Sequence, residues 1–187
     1  YLITPDFANV PLGKLEQQLL SGLESALESG IRLVQLRLMG LQRESLKKLG
    51  QRAVQLVHSY HGYLLLNEDY QLAQEIGADG VHLKAQQLQA LAQRPQGLKW
   101  VGASTHNSDE LAQAAGLDCD FVCVSPVRRT SSHPETIPLN WHGLKKLCDS
   151  SNLPIFALGG VRLEDFDQAR EAGAVGVAGI GAFWPNS

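Results

Sequence analysis

Hydrophobic positions along this 187-residue chain follow two alternating rhythms. Polar stretches carry apolar residues at i, i+3 and i+4, as at Leu15, Leu19, Leu23, Ala26 and Leu27, which gathers them on one face of a helix. Short runs rich in Val, Ile and Leu follow these stretches, as strands do. Four junctions read alike: LESGIRLVQL, EIGADGVHL, GLDCDFVCV and EAGAVGVAGI. Each approaches as a helix, turns at a Gly suited to the left-handed position after a helix end, and enters a strand.

The pattern predicts strands near Tyr1–Thr4, Arg32–Leu38, Tyr63–Asn67, Gly80–Leu83, Lys99–Ser104, Phe121–Ser125, Ile155–Leu158 and Val175–Ile180. It predicts helices near Leu12–Ser29, Gln42–Tyr60, Tyr70–Ile76, Gln86–Gln93, Ser108–Ala115, Leu139–Ser150 and Leu163–Ala172. Helix followed by strand, repeated, is the signature of a parallel α/β fold. Eight strands and seven helices fit a (β/α)8 TIM barrel better than an open doubly wound sheet. No G-x-G-x-x-G follows the first strand, which weakens a dinucleotide reading. Such barrels usually run to ~250 residues, so a compact one lacking its final helix is expected. Its loops are short except for Ser125–Pro138, SPVRRTSSHPETIP, whose length points to ligand work.

Composition narrows the picture without changing it. Hydrophobic residues make up 44% and charged residues 19%, ordinary for a soluble globular domain. A net charge of −3 offers no broad attraction to nucleic acid or anionic membrane. No apolar run approaches the ~20 residues a bilayer span needs. Three cysteines without framework spacing suit a reducing cytoplasm, and Cys119 and Cys123 are expected in the core. The chain opens on Tyr1 inside an apolar run, as expected either of a trimmed start or of one domain of a longer polypeptide, and residues 1–187 are expected to form a single domain.

In (β/α)8 barrels the chemistry sits at the C-terminal strand ends. That rule singles out Gln35 and Arg37 after the second strand, Asn67, Glu68 and Asp69 after the third, His82 and Lys84 on the fourth, and Ser104 and His106 on the fifth. The long loop after the sixth strand adds Thr130, Ser132 and His133, with Arg128 and Arg129 beside them. Gly159-Gly160 and Gly179-Ile180-Gly181 follow the last two strands, the usual phosphate site of the fold. An interior Arg37 needs an anion, either a phosphate or an internal partner such as Glu68 or Asp69. Glu68 and Asp69 are candidate Mg2+ ligands, since Mg2+ takes one or two carboxylates plus phosphate oxygens. Asp69 also suits the cap of the following helix. His82 is either a packed core residue or a ligand contact. His106 is the candidate proton carrier, titrating near neutral pH, or simply a loop histidine.

Taken together, VQLR, LLLNEDYQLAQEIGADGVHL, VGASTH, SPV..T.S, ALGGV and GVAGI, in this order from Tyr1 to Trp184, resemble the thiamine phosphate synthase and thiazole tautomerase superfamily. The resemblance implies a (β/α)8 barrel in which a pyrimidine diphosphate meets a thiazole phosphate and Mg2+ assists diphosphate departure. It implies that Gln35, Arg37 and Asn67 hold the diphosphate and that Ser104 lies near the pyrimidine. Thr130 and Ser132 match the T-x-T loop, and Gly159, Gly160 and Gly179–Gly181 match the thiazole-phosphate cup.

The departures are specific. Met39 stands where the family has a Lys, Glu68 and Gln87 stand for two metal aspartates, His133 for a second Lys, and Gly181 for a Ser. Losing one such electrostatic contributor can cost ~10²–10³ in rate, so weak synthase activity and an incomplete Mg2+ site are expected. A narrower resemblance, in SPV..T.SHP, PL.W and GI.AFW, is to the synthase-like domain fused behind mutator-type Nudix hydrolases in some bacteria. It implies a phosphate-binding domain accessory to a covalently linked N-terminal Nudix domain. The alternatives are an active thiamine-phosphate synthase, or a thiazole-phosphate tautomerase using His106.

Overall fold

A computed structural model describes residues 1–7, 10–130 and 135–184. Eight parallel strands run in sequence order, β1 (Leu2–Ile3), β2 (Leu33–Leu36), β3 (Tyr63–Asn67), β4 (Gly80–Leu83), β5 (Trp100–Thr105), β6 (Phe121–Val124), β7 (Ile155–Ala157) and β8 (Gly176–Val177). Between them lie α1 (Leu12–Glu28), α2 (Arg43–Ser59), α3 (Tyr70–Ile76), α4 (Ala85–Ala90), α5 (Ser108–Gly116), α6 (Asn140–Asp149) and α7 (Phe166–Glu171). The sheet closes on itself through a parallel bridge between Leu2 and Gly179. Ile3 N–H donates to Gly179 O at 2.9 Å, and Gly179 N–H donates to Tyr1 O at 3.1 Å. The fold is the expected (β/α)8 barrel.

Apolar residues alternate across each strand for a physical reason: every second side chain faces the helices. Val34 and Leu36, Leu64 and Leu66, Val81 and Leu83, and Val122 and Val124 are buried on that outer face. They meet the helical stripe that includes Leu15, Leu19, Leu23, Ala26 and Leu27, all buried as expected. Inside the barrel, Tyr1, His82, Phe121 and Phe156 form an aromatic plug, with ring centroids 5.4 to 6.1 Å apart.

Five helices end in the same reversal. A residue at positive φ donates its N–H three residues back, and the next residue donates five back. The pairs start at Gly30, His61, Gly77, Asp118 and Gly173. Each satisfies two carbonyls that a helix end leaves open. The third junction differs from expectation: Gly116 belongs to α5, and Asp118 takes the left-handed position at φ 55°. The predicted helix over Leu163–Ala172 is also divided. A 3-10 turn at Leu163–Asp165 precedes α7, where the Asp165 carboxylate accepts the Arg162 N–H at 2.8 Å. After β8 the chain forms a 3-10 turn at Gly181–Phe183. Among the described residues, no helix is long and apolar enough to cross a membrane.

Candidate functional site

The strand ends opposite those five reversals form a mouth, and Thr4, just past β1, begins it. Its buried hydroxyl accepts the Arg37 N–H at 2.8 Å and donates to Arg37 O at 3.1 Å. The backbone of Arg37 is therefore fixed while its side chain is left free. Half-buried at the lip, the Arg37 guanidinium has no partner among the described residues. The internal ion pair with Glu68 or Asp69 is not formed. Gln35 lies two residues deeper, 3% exposed, and points into the barrel.

Beneath the lip runs a chain of four polar side chains. Gln35 Nε2 donates to the Tyr1 hydroxyl at 3.1 Å, which lies 3.2 Å from His82 Nδ1, and His82 Nε2 lies 3.0 Å from Ser104 Oγ. Burial lowers the His82 imidazole to about 3, so the ring is neutral. Burial also raises the Tyr1 hydroxyl well above its ordinary value, with Cys123 adding to the effect and Gln35 opposing it. A buried tyrosine hydroxyl needs an acceptor, and the Nδ1 atom supplies it. The Nε2–H then donates to Ser104 Oγ, which leaves the serine hydrogen for a group above it. This corrects the expectation for His82: at 2% exposed it reaches the mouth only through Ser104.

Asn67 ends β3 and Glu68 follows it at the lip. Glu68 sits at φ 67°, a left-handed conformation uncommon for a residue with a long side chain. Four bonds hold it there. Its N–H donates to His82 O at 2.9 Å, and its carbonyl accepts from Gln87 Nε2 at 3.1 Å. Its Oε1 accepts from Asn67 Nδ2 at 2.6 Å and from Lys84 Nζ at 2.8 Å. Asp69 caps α3, accepting the Leu72 N–H at 2.8 Å, and its other oxygen pairs with Arg43.

His106 lies just past β5 and is 47% exposed. Its Nδ1 lies 2.8 Å from Glu110 Oε2, which also accepts the His106 N–H at 2.7 Å, and Asn107 caps α5 through the Glu110 N–H. The structure thus ties His106 to the first turn of its own helix.

The loop after β6 lies on the turn after β7. Val127 N–H donates to Leu158 O and Arg128 N–H donates to Gly159 O, both at 2.9 Å. Gly159 and Gly160 both take positive φ, at 88° and 67°. A Cβ on Gly160 would come 2.4 Å from Arg129 O, so this close approach requires glycine. The N–H groups of Gly159 and Gly160 have no partner among the described residues. Arg128 turns away, pairing with Asp165 at 3.0 Å and lying 5.3 Å from the Trp141 ring centre. Ser132 and His133 lie outside the described residues, while Thr130, half-buried, and Gly181 are engaged. Gly179 is a second correction. Its amide is used in closing the barrel, so it offers no donor to a phosphate. Ile180, half-buried, and the exposed Gly181 follow it at the same end.

The comparison that decides the family spans residues 1–183 and matches the family described as thiamine monophosphate synthase. The chain belongs to that family. An Aquifex aeolicus protein provisionally named thiamine-phosphate synthase 2 is 36% identical over 171 residues, covering 91% of this chain and 92% of that one. The thiamine-phosphate synthase of Lysinibacillus sphaericus is 35% identical over 174 residues, covering 89% and 81%. Cyanobacterial relatives are longer: the match to the Synechococcus thiamine-phosphate synthase, at 34% identity, spans 89% of this chain and 48% of the relative. Among solved structures, the thiamine phosphate pyrophosphorylase from Pyrococcus furiosus superposes with a TM-score of 0.78 at 22% identity, covering 97% of this chain and 85% of that one, which shows a shared fold.

The Mg2+ that thiamine monophosphate synthase resemblance implies can be tested against this donor set. Both Asp69 oxygens are engaged, one by the α3 cap and one by Arg43. Gln87 is neutral, and both ends of its amide are used: Oε1 accepts the Lys84 N–H at 2.9 Å and Nε2 donates to Glu68 O. Glu68 alone remains, with an ammonium at its carboxylate. No group of three or more His, Cys, Asp or Glu that would hold a metal occurs among the described residues. The residues present do not fit a resident Mg2+ held by paired carboxylates.

The strand-end rule missed Thr4, which begins the mouth, and Tyr1, whose hydroxyl lies beneath it. Thr4 carries the readable signal, a hydroxyl one residue past an apolar strand. The bond from Tyr1 to His82 depends on the stagger between strands, which composition does not encode.

Proposed function

We propose that this chain is a thiamine-phosphate synthase-type transferase that joins a pyrimidine diphosphate to a thiazole phosphate at the barrel mouth. One observation carries this reading: two sets of groups suited to holding anions lie on opposite sides of one mouth. The first is the Arg37 guanidinium, without a partner among the described residues, next to Asn67. The second is the pair of amides at Gly159 and Gly160, which have no partner among the described residues. In a closed barrel of eight strands ordered by sequence, β3 and β7 face each other. Two phosphorylated molecules anchored at these two sets of groups can meet over the Ser104 hydroxyl.

In that reaction the thiazole nitrogen gives its electron pair to the pyrimidine methylene carbon. The carbon–oxygen bond to diphosphate breaks, and its electron pair leaves on the diphosphate. No proton moves in this step. The protein therefore has to align two rings and meet the charge growing on the leaving group. Membership of the family and the synthase names of the relatives support this reading. The accessory role beside a Nudix hydrolase draws its support from Met39, Gln87 and the narrower sequence resemblance. The tie between His106 and Glu110 gives no support to a tautomerase.

Purified chain supplied with both substrates should form thiamine phosphate, read by conversion to fluorescent thiochrome. Arg37→Ala should lower kcat/KM by ~10² or more, with unchanged circular dichroism. Absence of product from the wild-type chain, with thiamine phosphate still bound, would replace this reading with the accessory one.

A further inference from the structure

The mismatch at the metal position points to what takes its place. We propose that Lys84 is a built-in cation at the diphosphate station, so that this chain binds diphosphate without a divalent metal. The inference rests on the transferase reading and names how one of its stations works.

The geometry supplies the argument. Lys84 follows β4 directly, and its ammonium meets Glu68 at 2.8 Å. An ammonium carries three donors, and Glu68 uses one. The side chain is 49% exposed, so the remaining donors are open to solvent at the end of β4. Glu68 is a firm tether because four bonds hold it in a strained backbone conformation that needs a local cause. Gln87, where a second carboxylate would be expected, instead fixes the backbone on both sides of the ion pair, bonding Lys84 N–H and Glu68 O. Arg37 directly follows β2, where Leu36 pairs with Leu66 of β3 just below Asn67. Arg37, Asn67 and Lys84 therefore line the ends of three consecutive strands. Two of them are cations, and one is pre-positioned by a carboxylate, which lowers the ordering cost of binding an anion.

The test uses inorganic pyrophosphate and isothermal titration calorimetry on the full chain. In excess EDTA the wild type should bind pyrophosphate, and added Mg2+ should change Kd by less than about threefold. Lys84→Gln should weaken binding in EDTA by about tenfold or more, the loss expected for one charge-assisted hydrogen bond. The double variant Lys84→Gln with Gln87→Asp should bind only when Mg2+ is present. Wild-type binding that requires Mg2+ overturns the proposal without using any variant, and so does full affinity of Lys84→Gln in EDTA. The synthase assay, run with and without EDTA, separates the two ideas. Turnover strictly dependent on Mg2+ sinks the lysine role and leaves the transferase. Metal-independent pyrophosphate binding without turnover sinks the transferase and leaves the lysine role.

Discussion

At the helix-closing end of the barrel, Gly30, His61, Gly77, Asp118 and Gly173 take left-handed backbone conformations to turn a helix into a strand. At the mouth Glu68 takes nearly the same conformation, φ 67° against 57° at His61, yet it closes no helix. His61 and Asp118 are exposed, and their side chains have no part in the reversal. The Glu68 side chain bonds Asn67 and Lys84. The comparison teaches how to read a strained residue. Where backbone bonds alone explain it, the side chain is replaceable. Where the side chain also bonds a residue of another element, as Glu68 bonds Lys84, the strain belongs to a site.

The largest expected effect concerns what lies under the mouth rather than under the reversals. Burial holds the folded His82 near 3, against about 6.5 in an unfolded chain. Between these values the unfolded state binds a proton that the folded state does not. The stability tied to a neutral His82 is thus complete above about pH 6.5 and is lost as pH falls toward 3. Lowering the pH from about 6.5 to about 4 should cost about 3 kcal/mol through this residue. Urea unfolding at several pH values should show His82→Gln less stable at neutral pH but with a flatter slope across that window. Parallel slopes would mean that charge at this position is tolerated and that the mouth has no dry floor.

At the opposite end, Gly173→Ala should lose about 1–2 kcal/mol from the left-handed backbone, plus a steric cost. Its new Cβ would lie 2.9 Å from the Cβ of Cys148. Gly30→Ala meets nothing within 4 Å and should show the backbone cost alone. Thermal unfolding of the two variants separates the contributions, and neither should alter pyrophosphate binding. A loss of binding in either would show that the two ends are coupled.

How much of this was readable follows from the same contrast. Helices and strands were legible because burial on one side imposes a period, and α3 and β3 and β4 fall on their predicted bounds. The reversals at Gly30, Gly77 and Gly173 were legible because glycine favours that conformation. His61 was hidden by the glycine beside it. Gly62 is required for space, since a Cβ there would come 2.9 Å from a Val57 methyl and 3.1 Å from Arg32 O. At the mouth, the strand-end rule found Arg37, Asn67, Glu68 and Ser104 as positions. It could not pair them, because pairing depends on how neighbouring strands stagger. Lys84 was visible only as a cation after a strand, and the contact with Glu68 gives it meaning.

The smallest effect tests the comparison most directly. His61→Gly and Asp118→Gly each exchange a strained residue for one that takes the conformation freely. Each should gain about 0.5–1 kcal/mol, allowing for the greater freedom of glycine in the unfolded chain. In a chain of this size that is a rise in Tm of a few degrees, about 2–4 °C per kcal/mol. Glu68→Gly relieves the same kind of strain but removes the bonds to Asn67 and Lys84. Those losses should offset the gain in Tm, and pyrophosphate affinity in EDTA should fall because Lys84 has lost its tether. Scanning calorimetry and titration on the three variants decide the matter together. Equal rises in Tm with unchanged pyrophosphate affinity would place Glu68 with His61 and Asp118, as a turn residue that any glycine could replace.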